Sequence, residues 1–239
     1  MIPHNHFNPS ETLSLEAFKE MDYLAVTHYG LHIELMMENA GLQLARLIAE
    51  KASFSTKIRI GVGNGNNGGG GLVAARRLSA WGFKVYLDLA VTITKALPLA
   101  QLKRALAFGA TKKKIKNPDI WVDAYLGFSQ RLPLAPAFLK GIDEANACKA
   151  YRIALDLPTG ISENGEGTYF KAHQILTLAA PKAILNTLPL STDIRIADLG
   201  IPKPIYDKFH INMPHFYTHQ IVSGNKTKQN PIYMQGDTI

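Results

Sequence analysis

Two aspartates stand where acid–base or ion-binding chemistry would be placed. Asp123 falls late in the apolar segment Trp121-Val122-Asp123-Ala124-Tyr125, and Asp156 ends Ala154-Leu155-Asp156 before a Pro158-Thr159-Gly160 turn. A carboxylate in a buried strand is costly unless it meets a cation, a hydrogen-bond donor or a proton. The third segment of interest, Gly61 to Gly71, has seven glycines in eleven residues, with Asn64, Asn66 and Asn67 between them. Glycine there lets the backbone take φ > 0 and approach a ligand without a Cβ in the way. The amides of Asn66 and Asn67 can donate to phosphate or offer carbonyl oxygens to a cation.

Elements must hold these three segments together. A β-like stretch, Lys57 to Ile60, leads into the glycine run, and a helical pattern from Leu72 to Leu78 leads out of it. Strand, glycine turn and helix N-terminus form a setting in which backbone N–H groups bind phosphate. Gly63, Gly65 and Gly68 match Gly-x-Gly-x-x-Gly, but in so glycine-dense a stretch the match carries little weight. Asp88 is the one candidate for the acidic partner of a dinucleotide fingerprint, so a hydride-transferring dehydrogenase is poorly supported. The absence of Gly-Lys-Ser/Thr leaves a P-loop NTPase unsupported.

Helical spacing predicts one helix over 14–27, with Ser14 as its cap, and a second after Gly30 that runs through Leu31, Leu35, Met36, Ala40, Leu44 and Ile48. Beyond the glycine run the pattern predicts strand 83–91, helix 97–108, strand 120–125, helix 134–147 and strand 151–157. Strands near 174–178, 184–188 and 194–198 follow a turn-rich stretch at 158–168. This alternation implies an α/β fold: a Rossmann-like three-layer αβα sandwich with a mostly parallel sheet and two N-terminal helices. Residues 1–222 read as a single domain and 223–239 as a polar C-terminal tail. In such sheets ligands bind beyond the carboxyl ends of the strands, where strand order reverses. The glycine run, Asp123 and Asp156 would all sit there.

The composition excludes several classes. With 239 residues, 46% of them hydrophobic and 19% charged, the chain can bury a full core. One cysteine, Cys148, rules out an internal disulfide framework and fits a reducing compartment. No apolar run is long enough to span a membrane, and Met1 to Phe7 lacks the basic and apolar regions of a secretory signal. A cytoplasmic protein is expected. The net charge of +7 gathers partly in Lys112 to Lys114 and Lys116, with Lys226 and Lys228 in the tail. No aromatic RNA motif or zinc spacing accompanies them, so nucleic acid is not an expected partner. His28 and His32 are four apart, but Gly30 interrupts the helix between them, and His215 and His219 follow Pro214 without a clear period.

Taken together, the segments resemble the NAD(P)H-hydrate epimerase family, the YjeF N-terminal domain, from about Leu13 to His219. The resemblance rests on Met37-Glu38-Asn39-Ala40-Gly41, Asn66-Asn67-Gly68-Gly69 with Gly71 to Arg76, Val122-Asp123-Ala124 with Gly127, Asp156 to Gly160, and Thr177 with Pro181-Lys182. It implies an enzyme that interconverts the R and S forms of NADH or NADPH hydrated at C6 of the nicotinamide ring (NADHX, NADPHX). A separate ATP- or ADP-dependent dehydratase would then repair the S form. The resemblance also implies a potassium ion held by the side chains of Asn67, Asp123 and Thr159. The substrate-binding stretches fall on Asn66, Asn67, Gly68, Gly69 and Gly70, on Gly127, Phe128, Ser129, Gln130, Arg131, Leu132 and Pro133, and on Asp156. Asp156 would exchange a proton with the substrate. Lys182 would either balance charge nearby or be a solvated lysine. A homodimer through the N-terminal helices is in keeping with the family.

The chain departs from the family pattern at Gly70, where the family carries Asp, and at Asn64, where it carries Pro. The first change removes a carboxylate from the substrate stretch and raises an alternative: a catalytically weakened member that serves as a nucleotide-binding or protein-interaction scaffold. Retention of Asp123 and Asp156 favours the enzyme.

Overall fold

The computed structural model describes residues 7, 11–216 and 221–223. Two helices open the chain, α1 (Leu15–Tyr29) and α2 (Ile33–Ala49). The Ser14 side chain accepts from the Ala17 N–H at the start of α1, and Gly30 closes it at φ 63°, a left-handed turn that glycine adopts without strain. Then follow β1 (Lys57–Val62), α3 (Asn66–Ala80), β2 (Lys84–Leu89), α4 (Ala96–Ala107), β3 (Ile120–Ala124), α5 (Pro136–Ala147), β4 (Tyr151–Leu155), β5 (Gln174–Leu178), β6 (Asp193–Ala197), α6 (Lys203–Lys208) and β7 (Ile221–Ser223).

The strands form one sheet in the order β2-β1-β3-β4-β5-β6-β7, parallel except for the last pairing. Alternation along the central strands divides their side chains between two cores. Val122, Ile153, Leu155 and Leu176 pack with α2, α3 and α4, whereas Trp121, Ala154 and Ile175 pack with Phe138 and Ile142 of α5. The sheet is thus covered on both faces, as the alternation of elements predicts. A third cluster ties Phe18, Met21 and Ala25 of α1 to Ile205 and Tyr206 of α6 and to Ala179 and Ala180 after β5. Strand order reverses between β1 and β3, so the loops leaving β1, β3 and β4 meet at one rim of the sheet.

Three expectations need correction. Helix α3 starts at Asn66 rather than near Leu72, so Gly68 to Gly71 lie in its first turns and not in a loop. Positive φ is absent from Gly61 to Gly71, so conformational freedom is not what these glycines supply. Residues 184–188 are not a strand but a 3-10 turn, Ala183–Thr187. Buried positions there are Ile184, Leu185 and Leu188, a helical spacing, and the Leu185 N–H closes on the Lys182 carbonyl. Of the expected tail, Ser223 pairs with Arg195 in β7, and 224–239 lie outside the described residues, as do His219, Lys226 and Lys228. Lys112 to Lys114 and Lys116 are exposed, in keeping with a solvated face.

Candidate active site

Glycine in the β1–α3 crossing serves close packing within the protein. A Cβ on Gly63 would land on the Tyr125 carbonyl, and one on Gly68 on the Gly63 carbonyl. The turn between β1 and α3 can therefore fold tightly against the end of β3. Asn64 pins this turn from outside: its Oδ1 accepts from the Thr94 and Lys95 N–H groups at 2.8 and 3.0 Å, and its Nδ2 donates to the Thr94 hydroxyl. The N-terminus of α3, with its unpaired amides, is aimed at the rim where β3 and β4 end.

The segment Met37 to Gly41 explains itself once α2 is placed against α3. A Cβ on Gly41 would overlap Val73, so glycine lets the two helices touch. Glu38 holds both Arg76 and Arg77 of α3. Asn39 donates to the Leu199 carbonyl at 3.1 Å, while Met37 packs over Gly69 and Ala40 faces the rim. Arg76 is thereby occupied by Glu38.

Asp156 follows β4 with φ 67°, in the left-handed region that non-glycine residues seldom occupy. That conformation sends its carboxylate back between two loops. One oxygen accepts from the Phe128 N–H at 2.7 Å, and the other meets the Lys182 ammonium at 2.8 Å. Gly127 makes room, because a Cβ there would come within 2.7 Å of the carboxylate. Lys182 is completely buried: its ammonium donates to the Leu178 carbonyl and the Thr177 hydroxyl and lies 3.7 Å from the centre of the Phe18 ring. Burial pulls its pKa down, and the charges of Asp156 and Asp22 oppose that shift. The open alternative of a solvated lysine is thus closed.

Asp123 ends β3 in a different setting. Its oxygens accept from the Thr159 N–H and hydroxyl, each at 2.7 Å, and from the Tyr125 N–H at 3.1 Å. Those donors are neutral, and burial pushes Asp123 up to about 6 despite them. Asn67 lies across the same crevice. Its Nδ2 donates to the Leu126 and Leu155 carbonyls at 2.9 and 3.2 Å, while its buried Oδ1 has no partner. The Thr159 hydroxyl also approaches the Leu126 carbonyl, at 3.4 Å.

Above these groups lies a cavity of about 210 Å³, lined by Asn66, Asn67, Gly70, Gly127, Phe128, Ser129 and Asp156 together with Asp22, Phe18 and Lys95. It is smaller than a typical ligand pocket and admits a ring but not a whole dinucleotide. Of the expected substrate stretches, Gly68 and Gly69 are buried beneath it. Gln130 braces the Asp156 loop, accepting from the Gly160 N–H at 2.6 Å and donating to the Pro158 carbonyl. Arg131, Leu132 and Pro133 are exposed outside the lining. A Cβ on Gly70 would stand 3.0 Å from Leu155, so aspartate would fit there with a small shift of that side chain. One oxygen of Asp88 is engaged by Tyr125 and Arg59. Sequence reasoning missed Asp22. Its signal was an acidic residue directly beside the apolar stripe of Phe18, Met21 and Ala25.

Residues 33–184 match the family described as YjeF-related protein N-terminus. The chain belongs to that family. Among family relatives, the NAD(P)H-hydrate epimerase of Rhodopirellula baltica is 33% identical over 218 residues, covering 83% of this chain and 88% of that protein. The epimerase of Dehalogenimonas lykanthroporepellens is 31% identical, with 82% and 84% covered. The bifunctional NAD(P)H-hydrate repair enzyme Nnr of Archaeoglobus fulgidus is 30% identical over 74% of this chain but only 39% of its own length. The crystal structure of the yeast protein ynu0, YNL200c, shares the fold with TM-score 0.79 at 20% identity, covering 89% of this chain and 99% of that one.

Proposed function

We propose that this chain interconverts the R and S hydrates of NADH and NADPH. The observation that carries the reading is the buried Asp156–Lys182 pair at the wall of a ring-sized cavity, in a chain 33% identical to a named epimerase. The cavity receives the hydrated ring, and the N-terminus of α3 at Asn66, with Lys95, attracts the phosphates at its mouth. Phe128, stacked edge-on against Phe18 at 5.0 Å, walls the ring in and keeps bulk water away from Asp156. Asp156 exchanges protons with the substrate from a carboxylate fixed on both oxygens.

The side chains of Asn67, Asp123 and Thr159 suit a potassium ion. A buried amide oxygen without a partner, a buried carboxylate facing only neutral donors, and a hydroxyl that accepts from the Leu126 N–H and keeps one lone pair together form an all-oxygen set for a weakly hydrated cation. When bound, potassium would neutralise Asp123 and tie the loops after β3 and β4 to α3. We place the enzyme in the cytoplasm, with a separate dehydratase consuming the S hydrate. Tyr23, Tyr29 and Leu35, exposed on α1 and α2, support a homodimer through these helices.

Purified protein given the R hydrate, followed by chromatography, should speed its conversion to the S hydrate well above the spontaneous rate. Conversion at background with the hydrate bound would overturn the enzyme and leave the scaffold. Gly70→Asp then tests whether the missing carboxylate is the reason.

A further inference from the structure

Asp22 has no role in the assignments above, although it lines the same cavity as Asp156. It sits one turn after Phe18, whose ring is clamped between Lys182 and Phe128. That clamp fixes the face of α1 on which Asp22 projects. The charged groups facing it are Asp156 from the end of β4, Lys182 from the loop after β5, and Lys95 at the mouth.

We infer that Asp22 is a second catalytic residue, the proton donor that works opposite Asp156. This rests on the epimerase reading and deepens it. Inverting C6 through a ring C=N⁺ has a hydroxyl leave one face and water add to the other, which calls for one acid and one base. Asp156 is held by Lys182 and the Phe128 N–H, and so serves as the base. Burial, and next the charge of Asp156, raise the pKa of Asp22, against the pull of Lys182. Two carboxyl groups on one cavity, one tied to an ammonium and the other not, divide the base and acid tasks between them.

The step balances. Asp22 gives its proton to the C6 hydroxyl as the C6–O bond breaks, and the ring-nitrogen lone pair forms C=N⁺ while water departs. A water molecule then adds to the other face of C6, the C=N⁺ pair returns to nitrogen, and Asp156 takes the proton that this water sheds. One water leaves, one enters, and nothing is oxidised or reduced. The enzyme ends with its proton on Asp156 rather than Asp22, the form that processes the opposite epimer, or resets by exchange with solvent.

The test compares wild type, Asp22→Asn and Asp22→Glu in conversion of the R hydrate across pH, with thermal unfolding to verify folding. Asp22→Asn should lower kcat about a hundredfold with KM changed less than about threefold, and Asp22→Glu should recover part of the loss. Because the acid form of Asp22 is the active one, wild-type kcat/KM should fall as pH rises through its pKa. That alkaline limb should vanish in Asp22→Asn. A kcat within about threefold of wild type, a loss confined to KM, or an alkaline limb that persists in Asp22→Asn would overturn the assignment while leaving the epimerase intact. If wild type itself fails to convert the hydrate, both readings fall.

Discussion

Asp123 and Asp156 end neighbouring parallel strands, and both are almost completely buried, yet their surroundings differ in kind. Asp156 meets a fixed ammonium and faces a cavity, whereas Asp123 meets only neutral donors and faces the crevice where Asn67 leaves an oxygen unpartnered. One carboxylate has its countercharge built into the chain. The other has neutral donors alone, and we propose that its countercharge comes from outside. On the proposed reading, the same residue type takes two tasks from its neighbours: proton exchange where the charge is already balanced, and cation holding where it is not.

The largest expected effect falls on the built-in pair. Asp156→Asn should cost about a hundredfold or more in turnover. It should also lower unfolding free energy by about 3–5 kcal/mol, because Lys182 would be left buried and unpaired. Urea denaturation of Asp156→Asn beside the double variant Asp156→Asn with Lys182→Met separates the two losses: the double variant should regain stability but not activity. Unchanged stability in Asp156→Asn would break this half of the comparison.

A smaller effect, readable by pH, belongs to Asp123. Its pKa in the folded chain is raised from 3.8 to about 6, so between these values the folded state holds the proton more tightly than the unfolded one. Stability therefore falls as pH rises from about 4 to about 6, by about 3 kcal/mol, and is level above that. Asp123→Asn should remove this slope from the denaturation midpoints. Potassium should flatten it in wild type by favouring the ionised form, and a slope that is the same in potassium and in lithium would count against the cation site.

The smallest change sharpens what Asp123 needs. Thr159→Ser keeps the hydroxyl that donates to Asp123 and should cost under about 1 kcal/mol, while Thr159→Val leaves the carboxylate short of a donor and should cost about 1–3 kcal/mol. A midpoint lower for Thr159→Ser than for Thr159→Val would mean that the methyl group, rather than the hydroxyl, matters at this position.

Much of this architecture could be read from the chain. Alternating periods gave the parallel sheet and its helices, and the carboxyl ends of the strands pointed to Asp123 and Asp156 before any contact was known. What escaped was tertiary. Gly68 to Gly71 looked like a loop because their poor helix propensity is local, whereas packing against Met37, Leu155 and Ala124 overrides it. Ile184, Leu185 and Leu188 read as a strand because a short apolar run does not announce its period. Lys182 could not be told from a surface lysine, since its burial depends on Phe18 arriving from a distant part of the chain. Asp22 was hidden for the same reason, as one acidic residue on an otherwise ordinary amphipathic helix.

The four consecutive glycines in α3 carry a consequence for local stability. Each costs roughly 1 kcal/mol of helix propensity against alanine, so the turn that follows Asn66 and Asn67 cannot hold itself together. Its order is borrowed from α2, through Gly41, Met37 and the Glu38 grip on Arg76 and Arg77. Anything that loosens α2 loosens the floor of the site first, and anything bound at that floor tightens α2 in return. The backbone amides of α3's first turns are therefore expected to exchange with solvent through local opening, well ahead of those in β3 and β4, and to slow when the cavity is filled.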